Sequence, residues 1–167
     1  VQTVHTGKPL VAHEWYFVAA TYDAKSKAIT LVQEPLHGFE TKSDRAVVRR
    51  KSTVGKVPNH KMPLTMGGYF KKIDNCRTVC GGHYNGKIDS PRIANRVLNA
   101  TEMEALKTWP VNTELTNSVI GAWDFSADIK GLKVSDLSAN LLHGEVAQLP
   151  ARAMTGWNWT VPSFSNS

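Results

Sequence analysis

Gly81–Leu106 constrains the fold more than any other stretch of this chain. A glycine-rich turn gives way to strand-forming residues from about Tyr84 to Ile93, and these lead into a short helix. Pro91 has no amide to donate to a sheet ladder, so a strand here belongs at an edge or carries a bulge. Asn99 with Glu102, or Thr101 with Glu104, has the spacing of a capping box. In either case a side-chain oxygen takes a free helix amide and a glutamate reaches back. Leu98, Met103 and Leu106 would give that helix a small apolar side.

The rest of the chain repeats the theme of short strands and turns. Glu14–Tyr22 is rich in aromatic and β-branched residues, as expected of a strand. Ala28–Gln33 reads as a second strand, with Ile29 and Leu31 facing one way and Thr30 and Val32 the other. The polar turn Asp23–Lys27 joins them into a hairpin with a five-residue connection. Residues 34–63 form a long loop, with a short strand at most at Arg45–Val48; loops of that length are usually functional or disordered. Leu64–Gly68 reads as a strand ending in glycines, and Tyr69–Cys80 as a polar, basic loop. Lys107–Asn117 reads as a linker around Pro110 and Ser118–Phe125 as a strand. Asp136–Gly144 is a turn followed by a strand through Val146. Trp15 and Trp123, mid-strand beside apolar neighbours, are expected in the core. Many short strands, glycine turns and one short helix predict an all-β antiparallel sandwich.

At 167 residues the chain suffices for one domain with a substantial core. No apolar run approaches the roughly 20 residues of a membrane span, and no signal-peptide pattern opens the chain. The first residue is Val1, so the chain is expected to be a processed product or a piece of something longer. The net charge is +6, and it is uneven. Lys42, Arg45, Arg49, Arg50, Lys51, Lys56, Lys61, Lys71 and Lys72 fall in one region whose only acid is Asp44. This is expected to be a solvated loop or a face that docks on an acidic neighbour. No aromatic–glycine run accompanies the charge, so nucleic acid is not the expected partner.

Catalytic signatures are missing. The six histidines include no His-x3-His pair, and there is no Gly-x-Ser-x-Gly elbow or phosphate-binding glycine loop. Nor is there a closely spaced carboxylate run of the kind glycosidases use. His143 reads as a turn residue, and Asp89 as a capping or pairing group. Cys76 and Cys80, with His83, give three candidate ligands where structural zinc wants four. Two reduced thiols, a local disulfide and a metal all stay open. Asp124, Asp136 and Asn140 are oxygen donors of the type calcium prefers, though turn hydrogen bonds explain Asp136 and Asn140 equally well. Asn99–Thr101 and Asn158–Thr160 match the glycosylation sequon.

Three blocks together resemble the laminin-G-like, concanavalin-A-like jelly roll: His13–Asp23, Leu64–Gly68, and Gly86–Asp89 running into Leu98–Met103. That resemblance covers about residues 8 to 107. The block order is unusual. Ala122–Phe125 followed by Asp136–Asn140 and His143–Gly144 looks like the segment that normally opens such domains, yet here it follows the helix. The resemblance implies a jelly-roll domain over residues 1–160 whose N-terminal strands lie upstream of Val1, and a flexible tail or linker at 161–167. Ala122–Ile129, Leu141–Gly144 and Leu149–Thr160 are similar to the large subunit of the N,N-dimethylformamidase family. In that family a jelly-roll domain precedes the hydrolytic domain. The resemblance implies a formamide hydrolase of the bacterial cytoplasm, acting on C–N bonds of linear amides. Its catalytic iron would be held by tyrosines and a glutamate of the downstream domain. No position here matches those ligands, so no catalytic residue and no cofactor are assigned to this segment. The expected role is a non-catalytic module packing against the catalytic domain or a second subunit through Arg49, Arg50, Lys51, Trp157 and Trp159. The alternative is a lectin-type carbohydrate-binding module.

Overall fold

The computed structural model describes residues 2–36, 45–53, 63–72, 78–108, 113–147, 150 and 152. The aromatic stretch after Trp15 forms β1 (Tyr16–Asp23), which pairs antiparallel with β2 (Ala28–Pro35), Tyr16 opposite Pro35 and Asp23 opposite Ala28. The Asp23 carboxylate accepts from the Lys25 amide and the Ser26 hydroxyl, and Lys27 takes φ 52°. The connection is therefore one residue shorter than expected, because Asp23 belongs to the strand. β3 (Ala46–Lys51) pairs antiparallel with β2 and completes a three-stranded sheet of order β1-β2-β3. It extends the short strand expected at Arg45–Val48. Ala28, Val32 and Ala46 are buried in this sheet, and so is Gln33. The Gln33 carboxamide accepts from the Thr6 hydroxyl at 2.7 Å and donates towards Lys8 and Pro9 carbonyls, so burial leaves it satisfied. Trp15, expected in the core, stands just before β1 and is half-buried.

Two compact units divide the chain. The first joins Val1–Pro58 to Ala94–Ser118, the second joins Asn59–Ile93 to Val119–Ser167. In the first unit the helix α1 (Ala100–Ala105) uses Asn99 as its cap. The Asn99 side chain accepts from the Glu102 amide at 2.9 Å, and the Glu102 carboxylate accepts from the Asn99 amide at 2.8 Å. Arg96 clamps the same carboxylate at 2.6 and 3.0 Å. Leu98 is buried, while Met103 and Leu106 are half-buried. The expected linker holds a second helix, α2 (Thr113–Ser118). Its threonine, asparagine and serine are poor helix formers. Leu115, 2% exposed, supplies the burial that overrides them. Among the described residues there are thus two short helices rather than one.

In the second unit β4 (Tyr69–Lys72) and β5 (Thr78–Gly81) form an antiparallel ribbon where a loop was expected. The strand expected at Leu64–Gly68 is instead a bend. Gly67 takes φ 76°, and its carbonyl accepts from the Tyr84 amide at 2.8 Å. The strand expected from Tyr84 to Ile93 shrinks to β6 (Arg92–Ala94). Ser90 sits at φ 46° and Pro91 lacks an amide, so the chain joins a ladder only beyond them. The Pro91 carbonyl still accepts from the Trp123 amide at 3.1 Å. β7 (Val119–Asp124), β8 (Lys133–Asp136) and β9 (Gly144–Glu145) complete a four-stranded sheet of order β6-β7-β8-β9. β7 with β8, and β8 with β9, are antiparallel. β8 was not anticipated, and the strand expected through Val146 is only two residues long. Val119, Ala122, Trp123 and Val134 are buried here. The architecture is mostly β with antiparallel pairing, as the sequence predicts.

Candidate interaction surface

Arg49, Arg50 and Lys51 are exposed on β3, an edge of its sheet. They stand opposite Thr30, Ile29 and Ala28. Successive side chains of a strand alternate between faces, so Arg49 and Lys51 share one face and Arg50 takes the other. The three do not form a single patch; they flank an edge, where charge discourages further strand pairing. Arg45, next to β3, binds Glu34 at 3.1 Å. Glu34 also takes Lys107 at 2.8 Å, and Lys107 reaches Glu104 at 2.8 Å while standing 5.4 Å from the Phe17 ring centroid. Burial opposes the charge on Glu34, but hydrogen bonds from Lys107 and Arg45 outweigh it and hold its carboxyl below the usual value. Burial likewise disfavours the Lys107 ammonium, and Glu104 with Glu34 raises it above its usual value. These charges are engaged within their own unit. Val18, Ala20, Leu31 and Gln33 share the opposite face of the sheet from Phe17 and Glu34, and with Thr6 they line an open depression of about 380 Å³.

Of the three oxygen donors considered for calcium, Asp136 is a hub of internal bonds. Its Oδ1 accepts from the Ala122 amide at 2.8 Å and the Ser138 amide at 2.9 Å. Its Oδ2 accepts from the Ser138 hydroxyl and the Leu142 amide, each at 2.7 Å. Burial opposes ionisation, yet the four donors together hold the carboxyl below the usual range. The Asp136 amide donates to His143 Nδ1 at 3.1 Å, and the Trp123 indole donates to the Leu142 carbonyl at 2.8 Å. The His143 amide donates to the Leu141 carbonyl at 2.8 Å. Asn140 donates to the Ile120 carbonyl at 3.1 Å. Asp124 accepts from the Ser126 amide at 2.8 Å and the Ser126 hydroxyl. Trp123 is opposite Asp136 in the ladder, so Asp124 projects from the other face. The sheet separates the two carboxylates instead of bringing them together.

Arg152 was not singled out by the sequence, although it lies in the Leu149–Thr160 motif. Its Nε donates to the Phe125 carbonyl at 3.1 Å and its Nη2 to that of Ala127. Its Nη1 faces the carbonyls of Asp128, Gly131 and Lys133, each at 3.2 Å. The loop it fills turns through Asp128 at φ 47°. One guanidinium therefore collects five backbone acceptors from a single loop.

Cys80 is free and half-buried on β5. A Cβ at Gly68 would stand 3.1 Å from its Sγ and 3.7 Å from the His83 ring, so glycine lets both approach the bend. Cys76 lies outside the described residues, as do Trp109, Trp157 and Trp159 and most of the 34–63 loop. Among the described residues no group of three or more histidines, cysteines, aspartates and glutamates is placed to hold a metal ion. No helix among them is long and apolar enough to cross a membrane.

No family model matches the chain. An alignment of 171 positions that covers 94% of the chain is 30% identical to an N,N-dimethylformamidase beta subunit of Alcaligenes sp. One of 169 positions that covers 93% of the chain is 32% identical to an N,N-dimethylformamidase beta subunit of Paracoccus aminophilus. The chain spans 22% of the length of each of these curated relatives. Neither similarity supports the lectin alternative. The likeness extends over nearly the whole chain, well beyond the tryptophan motifs that first suggested it, and makes this stretch homologous to a segment of N,N-dimethylformamidase beta subunits.

Proposed function

We propose that the chain is a non-catalytic jelly-roll module of a formamide-hydrolysing beta subunit, packing against the rest of that subunit or against a second subunit. The observation that carries this reading is homology along nearly the whole chain to only 22% of each relative. The internal engagement of Asp136, Arg152 and Glu34 supports it, because a packing module uses its polar groups to hold turns and helices in place. The iron-bearing catalytic ligands belong to chain outside these residues, and a bacterial cytoplasmic setting is part of the same proposal. Arg49, Arg50 and Lys51 serve as rim contacts, with Trp157 and Trp159 as apolar anchors.

The test is intact mass and peptide mapping of the native protein, with an assay for dimethylamine release from dimethylformamide. Mapping inside a much larger, active polypeptide is the expected result. A native protein that ends near Ser167 and releases no amine would sink the proposal.

A further inference from the structure

The two edges of the β1-β2-β3 sheet differ in a way that points to a partner. The Leu36 amide donates to the Trp15 carbonyl at 2.8 Å, so Trp15 and Leu36 are a hydrogen-bonded pair. Antiparallel ladders alternate bonded and non-bonded pairs. Phe17, Ala19 and Thr21 therefore aim their amides and carbonyls at β2. Tyr16, Val18, Ala20 and Tyr22 aim theirs outward, where no other strand pairs with β1 among the described residues. The opposite edge, on β3, is protected. The Ser52 amide donates to the Lys27 carbonyl, which by the same alternation turns Val47, Arg49 and Lys51 outward. There the Gln2 side chain donates to the Lys51 carbonyl at 2.9 Å and accepts from the Thr53 amide at 2.7 Å. Three exposed cations guard the same strand.

Tyr16–Tyr22 has none of these devices. It contains no charge and no proline, and its outward-bonding Val18 is 64% exposed. An uncharged, largely apolar edge is a template for another strand, and folded proteins normally cover or blunt it. We propose that the outer edge of β1 is the docking site for a β-strand supplied by the same polypeptide, from chain outside these 167 residues. This rests on the reading of the chain as part of a longer subunit, since about four-fifths of each relative lies outside the matched stretch. A strand in the same polypeptide meets the edge at an effective concentration near millimolar, which outcompetes a second copy at micromolar levels. The incoming strand presents apolar side chains at alternate positions to cover Val18 and Ala20 and the depression beside them.

Per-amide hydrogen exchange on the native full-length protein tests this. The Val18 and Ala20 amides are expected to exchange at least ~100-fold slower than open-chain amides, in step with Phe17, Ala19 and Thr21. Free exchange at Val18 and Ala20, with their inward neighbours protected, would overturn the proposal. Ala20→Pro gives a second readout. Proline is tolerated where an edge amide faces solvent, so an unchanged denaturation midpoint also counts against docking. The expected result is a clearly lowered midpoint. A photo-cross-linker at Val18 identifies the occupant. A peptide from the same polypeptide outside residues 1–167 supports the proposal; a peptide from within them, one from a second copy, or no capture, overturns it. Formamide hydrolysis is scored separately. An inactive protein with a protected, internally cross-linked edge sinks only the amidase reading, and an active protein with a free edge sinks only this one.

Discussion

At the residue scale, Asp136 is the most heavily used carboxylate described. Its four donors come from Ala122, Ser138 and Leu142, so Asp136→Ala would orphan all of them at once. Each orphaned buried donor costs about 1–3 kcal/mol, so chemical denaturation should show a loss of at least ~3 kcal/mol. The carboxyls of Asp136, Asp124 and Glu34 are held below their usual values of 3.8, 3.8 and 4.5, and that of Glu102 is lowered to about 2. A lowered carboxyl favours the fold above its unfolded value, and this contribution vanishes as pH falls through the folded value. A urea midpoint should therefore hold from neutrality to about pH 5 and fall below about pH 4, with a smaller fall in Asp136→Asn. Arg152→Lys keeps the charge but has three donors for five carbonyls. It should speed tryptic cleavage after Lys130 several-fold, and a rate matching the parent would show that the loop does not depend on the guanidinium. The alternation between calcium ligand and turn anchor at Asp136 was legible in the sequence, because Asp-x-Ser favours a local turn. Arg152 was not, since its acceptors are backbone carbonyls 19 to 27 residues away and leave no side-chain signature.

At the scale of elements, legibility follows the strength of the local pattern. β1, β2 and β7 carry runs of aromatic and β-branched residues and stand close to where the sequence puts them. β4 reads as loop because Lys71 and Lys72 follow its two aromatics, and β8 because four residues hold only one buried apolar side chain. α2 goes unseen because burial of Leu115, a tertiary event, is what holds it. The cap of α1 was legible to within two choices, and the structure selects Asn99 with Glu102. Asn99→Ala should cost about 1 kcal/mol in a denaturation midpoint while Asn99→Asp is nearly neutral. Equal losses in the two would mean that Asn99 acts by something other than capping.

At the scale of the whole molecule, the mostly β class was legible because short strands and turns dominate the chain, whereas the chemistry of the parent was not, because the polar clusters here support structure. The path of the chain through its two units has a further consequence for synthesis. The first unit needs residues 94–118 and the second needs residues from Val119 onward. On a ribosome, the β1–β3 sheet emerges well before Leu98 and Leu115 exist to cover their part of the first unit. At roughly 5–20 residues per second, this interval lasts on the order of several seconds. During that time the uncharged strand Tyr16–Tyr22 stands without that cover. The rate of elongation, and any holding chaperone at the tunnel exit, should therefore decide how much of this protein reaches its folded form.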